Sequence, residues 1–328
     1  MKNSNFNIYV DFGKSKIRIG AINKDALKKN FFCESNYFTD YATAEIEIEK
    51  IISNLEKNTN EYLENIDLMV DSSETLSISL SLSKNFDGCK LKKEDIQFLI
   101  QDAKQQVLRN YSNKKIIHII VKNYKIDNKN YTFLPTDINC NLLSIDIIFI
   151  SLPKKTIEFF KKFFFKFDIS IKQIFCSSYA KSTSYKKNFK LTKNISFIDM
   201  GFDKTSITHY DKNEISFFQV IPIGGNHITK DLSKILNIDL IYAEKVKLYF
   251  DKDESILIEK KLSLDFVQKI IFARIEEILE LCFKSIELNQ NLDPSYQFQL
   301  ILMGEGSKIL DNKFKEKIVF SKEIDLLE

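Results

Sequence analysis

Glycine is so scarce in this chain that the positions it keeps constrain the fold more than any other feature. There are 8 glycines in 328 residues, where average usage would place roughly 23. Gly13, Gly201, Gly224, Gly225, Gly304 and Gly306 all fall in turns just after stretches that read as β-strands. Glycine persists where a side chain cannot be accommodated. Backbone amides in such turns form anion-binding concavities, so glycine turns at strand ends point to a phosphate. Asp11 and Asp199 close two of the strands. A carboxylate pair beside phosphates suits a hydrated Mg²⁺, which keeps its waters and takes few protein ligands.

Periodicity supplies the rest of the outline. Phe6–Asp11 and Ser15–Ile22 read as strands joined at Gly13. Residues 43–63 read as a helix on Ile46, Ile48, Ile51, Ile52, Leu55 and Tyr62. A strand follows at Ile66–Val70. Leu76, Ile78, Leu80 and Leu82 then alternate with serines, a helix spans 92–109, and strands cover 115–126 and 144–151. This block, bounded by Pro153, reads as a small α/β insertion. A helix at 154–167 carries six phenylalanines and five lysines; its place between two strands favours a core helix over one lying on a membrane. After a strand at Ile169–Phe175 and a polar stretch at 181–194, strands are expected at Ile195–Asp199, Thr205–Tyr210 and Ile215–Ile221. Helices at 226–236, 240–250 and 263–289 lead to a strand at Phe298–Met303. Val10-Asp11-Phe12-Gly13 and Ile198-Asp199-Met200-Gly201 suggest an internal duplication.

Several classes are excluded. The 48 basic residues include only three arginines, Arg18, Arg109 and Arg274. Scattered lysine lacks the bidentate fork that reads bases, so no nucleic-acid partner is expected. The 5 cysteines are odd in number and widely spaced, against both a disulfide framework and a zinc site. No apolar run approaches a membrane span and no apolar leader is visible at the start. A cytosolic chain, or one bound to a membrane surface, is expected. His118, His209 and His227 read as structural, and no general base stands out.

The turns together resemble the phosphate-1, phosphate-2 and adenosine segments of the actin/Hsp70/sugar-kinase superfamily. Within it the chain resembles the bacterial cell-division FtsA family. The resemblance is carried by Asp11-Phe12-Gly13-Lys14-Ser15-Lys16-Ile17, by Tyr124-Lys125-Ile126-Asp127 after His118, and by Ile198-Asp199-Met200-Gly201. Most specific is Ile221-Pro222-Ile223-Gly224-Gly225-Asn226-His227-Ile228-Thr229-Lys230-Asp231. Ala243–Lys247 and Arg274–Ile278 complete it. The resemblance implies an α/β, actin-like (ribonuclease H-like) two-lobed fold. The first lobe would comprise 1–74 and 152–190, with an inserted subdomain at 75–151. The second would comprise 191–230 and 297–328, with a subdomain at 231–296.

The resemblance also implies function. ATP with Mg²⁺ would lie between the lobes, on Asp11, Gly13, Ser15 and Lys16 for phosphate-1 and Asp199, Gly201 and Thr205 for phosphate-2. Gly224 and Gly225 would open a helix toward the nucleotide, Glu244 and Lys247 would meet the ribose, and Gly304 and Gly306 would flank the adenine. Asp11 and Asp199 would hold the metal through water. The family self-assembles, tethers FtsZ to the inner face of the cell membrane and recruits later division proteins, here through 75–151. Two departures temper this. Phe202, Asp203 and Glu305 stand where glycines are expected, which implies weak nucleotide binding and little turnover. The residues after Gly306 are few, with Glu323, Asp325 and Glu328 among them, and the family's amphipathic membrane helix is not seen there. The alternatives are a pilus-assembly-type actin-like scaffold and a kinase-like phosphotransferase.

Overall fold

Strand alternation and glycine turns build the same sheet twice. The structure, a computed structural model, describes residues 4–25, 27–38, 40–133, 136–189, 194–211, 214–290, 298–309 and 324–326. The chain divides into two units, Met1–Thr183 and Ser184–Glu328.

In the first unit, β1 (Phe6–Phe12) and β2 (Ile17–Asn23) form a hairpin that β3 (Phe31–Glu34) extends on one side. On the other side β1 pairs in parallel with β4 (Asn65–Val70), which pairs in parallel with β9 (Ser170–Cys176). Parallel neighbours need crossover helices. One is α1 (Tyr41–Thr59), capped by Asp40 accepting from the Thr43 amide and closed by Asn60 in the left-handed region. Its buried stripe is Ala44, Ile48, Ile51, Ile52 and Leu55. Ile46 and Tyr62, expected on that face, are exposed; the helix stops before Tyr62, and Ile46 falls on the opposite side of a 3.6-residue turn.

The inserted block forms a separate sheet, order β5-β8-β6-β7, from β5 (Leu76–Lys90), β6 (Lys114–Ile126), β7 (Lys129–Tyr131) and β8 (Asn139–Pro153). Its apolar rows bury Ile145, Ile147 and Phe149 with Ile96, Leu99, Ala103 and Val107 of α2 (Lys93–Asn110). The serines of β5 lie on the other face, where Ser81 bonds Asp146 and Ser83 bonds Ser144. The short β7, which follows Asp127 and Asn128 at positive φ, is too brief to carry a periodic signal of its own. His118 of β6 accepts the Cys176 amide on Nε2 at 2.9 Å, joining the insertion to the end of β9.

The helix α3 (Lys154–Phe165) is a core helix, as its position predicts. Phe160, Phe163 and Phe164 surround the Phe12 ring at centroid distances of 4.9, 5.3 and 6.2 Å. A polar stretch expected from 181 is in part helical: α4 spans Ser177–Lys186. Serine and threonine compete for backbone hydrogen bonds and are weak helix formers, which hides it.

The second unit repeats the plan. β10 (Ile195–Met200), β11 (Thr205–Asp211) and β12 (Glu214–Ile221) run antiparallel, and β13 (Gln299–Met303) and β14 (Ile324–Leu326) add in parallel. Strand orders β3-β2-β1-β4-β9 and β12-β11-β10-β13-β14 match position for position. The turns match too: the Gly13 amide donates to the Lys16 carbonyl at 3.0 Å, and the Gly201 amide to the Lys204 carbonyl at 2.9 Å. Against this sheet pack α5 (Gly225–Leu236) and α8 (Leu264–Gln290), with α6 (Leu240–Tyr249) and α7 (Glu254–Glu259) beside them in one apolar cluster. Arg274 of α8 forks onto both Asp231 oxygens of α5 at 2.6 and 3.0 Å. The apolar run Lys317-Ile318-Val319-Phe320, strand-like in sequence, lies outside the described residues. No helix among the described residues is long and apolar enough to cross a membrane.

Candidate functional site

Three turns of the second unit meet at the C-terminal end of β10, and glycine is what lets them meet. A Cβ on Gly224 would lie 2.6 Å from both the Gly201 carbonyl oxygen and the Lys204 nitrogen, so the start of α5 packs directly on the Gly201–Lys204 turn. Gly304, at φ +93°, and Gly306 would each place a Cβ 2.7 Å from the Met200 carbonyl oxygen; on Gly304 it would also overlap the Asp199 carboxylate. Thr205 Oγ1 donates to the Ile223 carbonyl at 2.8 Å, tying β11 to the same junction.

The electrostatics differ from the expectation for these turns. The amides of Gly225 and Asn226, the first of α5, donate to the carbonyls of Gly201 and Phe202 at 2.9 and 2.7 Å. The helix N-terminus, with its partial positive charge, is thus satisfied by the turn itself. Asp203 is held by the Asn226 side-chain amide at 3.2 Å, and Lys204 is buried with its ammonium on Ser206 Oγ at 2.6 Å.

Glu244 and Lys247, a turn apart on α6, do come to this place. Lys247 is 4 % exposed; its ammonium donates to Glu244 Oε2 at 2.6 Å, Thr229 Oγ1 at 2.9 Å and the Gly225 carbonyl at 3.3 Å. Thr229 Oγ1 also donates to Glu244. Burial holds the Lys247 ammonium below its ordinary pKa, with Glu244 opposing. Its Nζ lies 5.9 Å from the centre of the Phe202 ring. Phe202 therefore packs beside this buried cation, which the resemblance places at the ribose.

Asp199 is 5 % exposed, and its carboxylate joins no hydrogen bond or ion pair among the described residues. A carboxylate left without a partner can take up a cation. Among the described residues no group of three or more His, Cys, Asp or Glu is placed to hold a metal; an ion here would keep most of its water.

The first unit carries the other expected residues. The turn Gly13–Lys16 is tight, with a Cβ on Gly13 falling 2.6 Å from the Lys16 carbonyl oxygen. The Ser15 carbonyl accepts the Phe38 amide at 3.1 Å. Lys16, expected on a phosphate, forms a close ion pair with Glu34 of β3, which also takes Arg18 Nε at 3.1 Å. These cations hold the Glu34 carboxyl below its usual range, Lys16 contributing most. Asp11 is buried and already paired: Ser177 Oγ donates to Oδ1 at 2.6 Å and Lys181 Nζ lies 3.0 Å from Oδ2. A metal does not fit here as it does at Asp199. Sequence reasoning missed Ser177 and Lys181 because they lie on the unrecognised α4. The three histidines are structural: His209 bonds Ser196 Oγ at 2.7 Å and stacks on Phe217, and His227 Nδ1 accepts the Gly224 amide at 3.2 Å.

Comparisons agree on one family. Residues 196–268 match the family model described as cell division protein FtsA, and residues 72–151 match the SHS2 domain inserted in FtsA. A cell division protein FtsA of Helicobacter pylori (strain ATCC 700392 / 26695) is 28% identical over 139 residues, covering 42% of this chain and 28% of that protein. One from Buchnera aphidicola subsp. Baizongia pistaciae is 28% identical over 190 residues, covering 53% and 44%. The matches thus span less than half the length of these relatives. Among solved structures, the PilM-PilN type IV pilus biogenesis complex shares the fold, with a TM-score of 0.69 at 10% identity over 98% of this chain and 88% of that one. The matched segments and the relatives support a divergent FtsA, and the twice-repeated sheet is that of the actin-like ATPase fold.

Proposed function

We propose that this chain is an actin-like cell-division scaffold that binds ATP weakly, turns it over little, self-assembles, and links FtsZ to the inner face of the cytoplasmic membrane and to later division proteins. The observation that carries the nucleotide part is the junction at the end of β10, where three glycine turns pack together beside Asp199, a carboxylate with no partner among the described residues. Gly201, Thr205, Gly224, Gly225, Glu244, Lys247, Gly304 and Gly306 are its proposed nucleotide residues, with Gly13, Ser15 and Lys16 of the first unit at phosphate-1. Mg²⁺, when bound, would neutralise phosphate charge beside Asp199. The scaffold role is proposed from the family, and the inserted sheet at 75–151 is the proposed partner surface. The subdivision of the second unit into 191–230 with 297–328 and 231–296 belongs to the same proposal.

Weakness follows from the site. The α5 amides that would hold a phosphate are spent on Gly201 and Phe202, and Phe202 adds bulk beside Lys247. Likeness to a pilus complex at 10% identity concerns the fold alone, so the pilus-type reading ranks below division.

Calorimetry with Mg-ATP checks the nucleotide reading. Saturable binding weaker than about 1 µM, that is less than about 8 kcal/mol, is expected, with phosphate release no faster than a protein-free control. Absence of binding at millimolar ATP would reject the nucleotide site; nanomolar binding with steady turnover would reject its weakness.

A further inference from the structure

The two units repeat one strand order and one turn, yet the carboxylates at the ends of β1 and β10 have opposite surroundings. Asp199 has no hydrogen-bonding or ionic partner among the described residues. Asp11 has three. Besides Ser177 Oγ on Oδ1 and Lys181 Nζ 3.0 Å from Oδ2, Arg18 Nη1 lies 4.0 Å from the same Oδ2. The topology explains how they arrive. β9 reaches β1 through β4, and α4 starts straight after β9, so Ser177 and Lys181, four residues apart, present one helix face to the end of β1. Arg18 is the hairpin partner of Asp11 across β1 and β2.

We propose that Lys181 is a built-in counter-ion that replaces a divalent metal at Asp11, leaving Asp199 as the carboxylate through which a nucleotide-borne metal is held. The inference rests on the nucleotide reading above. A hydrated Mg²⁺ is held at a carboxylate largely by charge. At Asp11 that charge is already offset by an ammonium in contact and a guanidinium close by, and a further cation beside them would be repelled. A largely buried carboxylate is stable only when paired, so Lys181 also keeps Asp11 satisfied when no ligand is present.

The test counts bound Mn²⁺ by electron paramagnetic resonance on the full chain with saturating ATP, for the native protein and single variants. Asp199→Asn is expected to weaken Mn²⁺ binding at least about tenfold and Asp11→Asn less than about twofold, since ligand charge sets metal affinity. Lys181→Met frees the Asp11 carboxylate and is expected to tighten Mn²⁺ about fivefold or more, whereas Lys181→Arg, which keeps the charge, leaves it near native. A loss with Asp11→Asn as large as with Asp199→Asn would overturn the proposal, and so would Lys181→Met binding no tighter than native. Asp11→Asn and Asp199→Asn both retain Lys181, so their comparison decides the matter even if Lys181→Met folds poorly. Lack of ATP binding with Mn²⁺ and with chelator alike would overturn the nucleotide reading and this inference with it.

Discussion

Gly304→Ala should cost about 4 kcal/mol of the second unit's stability, among the larger effects a single methyl can have. Two penalties add. At φ +93° an alanine sits where its Cβ is strained against its own backbone, a cost of about 1–2 kcal/mol. The new Cβ would also overlap the Asp199 carboxylate and come within 2.7 Å of the Met200 carbonyl oxygen. Neither neighbour can retreat easily. Met200 is fully buried in β10, and Asp199 lies between β11 and β13 in the middle of the sheet. Overpacking of this kind adds about 1–3 kcal/mol. Gly88→Ala is the internal control. Its φ is +80°, but a Cβ there would meet only Asn141 Oδ1 at 3.7 Å, so backbone strain acts alone at about 1–2 kcal/mol. Urea unfolding of both variants separates the terms, and equal losses would mean that the close approach at Asp199 contributes nothing.

Acidification should unbalance the first unit through His118. Burial pushes its pKa down to about 4 from an ordinary 6.5, with nearby Asp71 pulling partly the other way. The ring is held neutral by its place: Nε2 accepts the Cys176 amide, and Phe175 and Tyr179 pack at 5.9 and 4.9 Å. A folded-state pKa below the unfolded one means that the unfolded chain binds more protons between pH 6.5 and 4. The stability from this site is therefore complete above pH 6.5, falls as the pH falls through that window, and is gone below about pH 4. The total is about 3 kcal/mol. His118→Gln keeps an oxygen to accept the Cys176 amide but cannot titrate. Its stability should fall less steeply than the native protein's between about pH 7 and 4, by about that amount. Parallel curves would show that the buried imidazole does not carry the effect.

Much of this architecture is legible in the residues, and the exceptions have physical causes. Alternating Leu76, Ile78, Leu80 and Leu82 and the periodic helices at 92–109 and 263–289 foretell their elements, because burial on one face dictates the pattern. The duplication visible in Asp11-Phe12-Gly13 and Asp199-Met200-Gly201 extends to two sheets of identical strand order. The glycine turns are readable as close approaches. What they approach is not: Gly224, Gly304 and Gly306 lie against the chain's own backbone at Gly201, Phe202 and Met200. Pairing is hidden altogether. Nothing in a sequence without α4 places Lys181 on Asp11, and nothing in the spacing of Lys16 and Glu34 predicts their contact across β2 and β3. Such contacts are made by tertiary neighbours, and local pattern is blind to them.

The β10 junction carries the nucleotide proposal; the proposed role as a division scaffold is tested most directly by co-sedimentation with FtsZ. The full chain is mixed at micromolar concentration with FtsZ polymers in the presence of ATP, and the pellet is compared with that of the chain alone. A division scaffold enters the pellet with FtsZ, in proportion to the polymer added, and that is the expected result. A chain left wholly in the supernatant while FtsZ pellets would contradict the role.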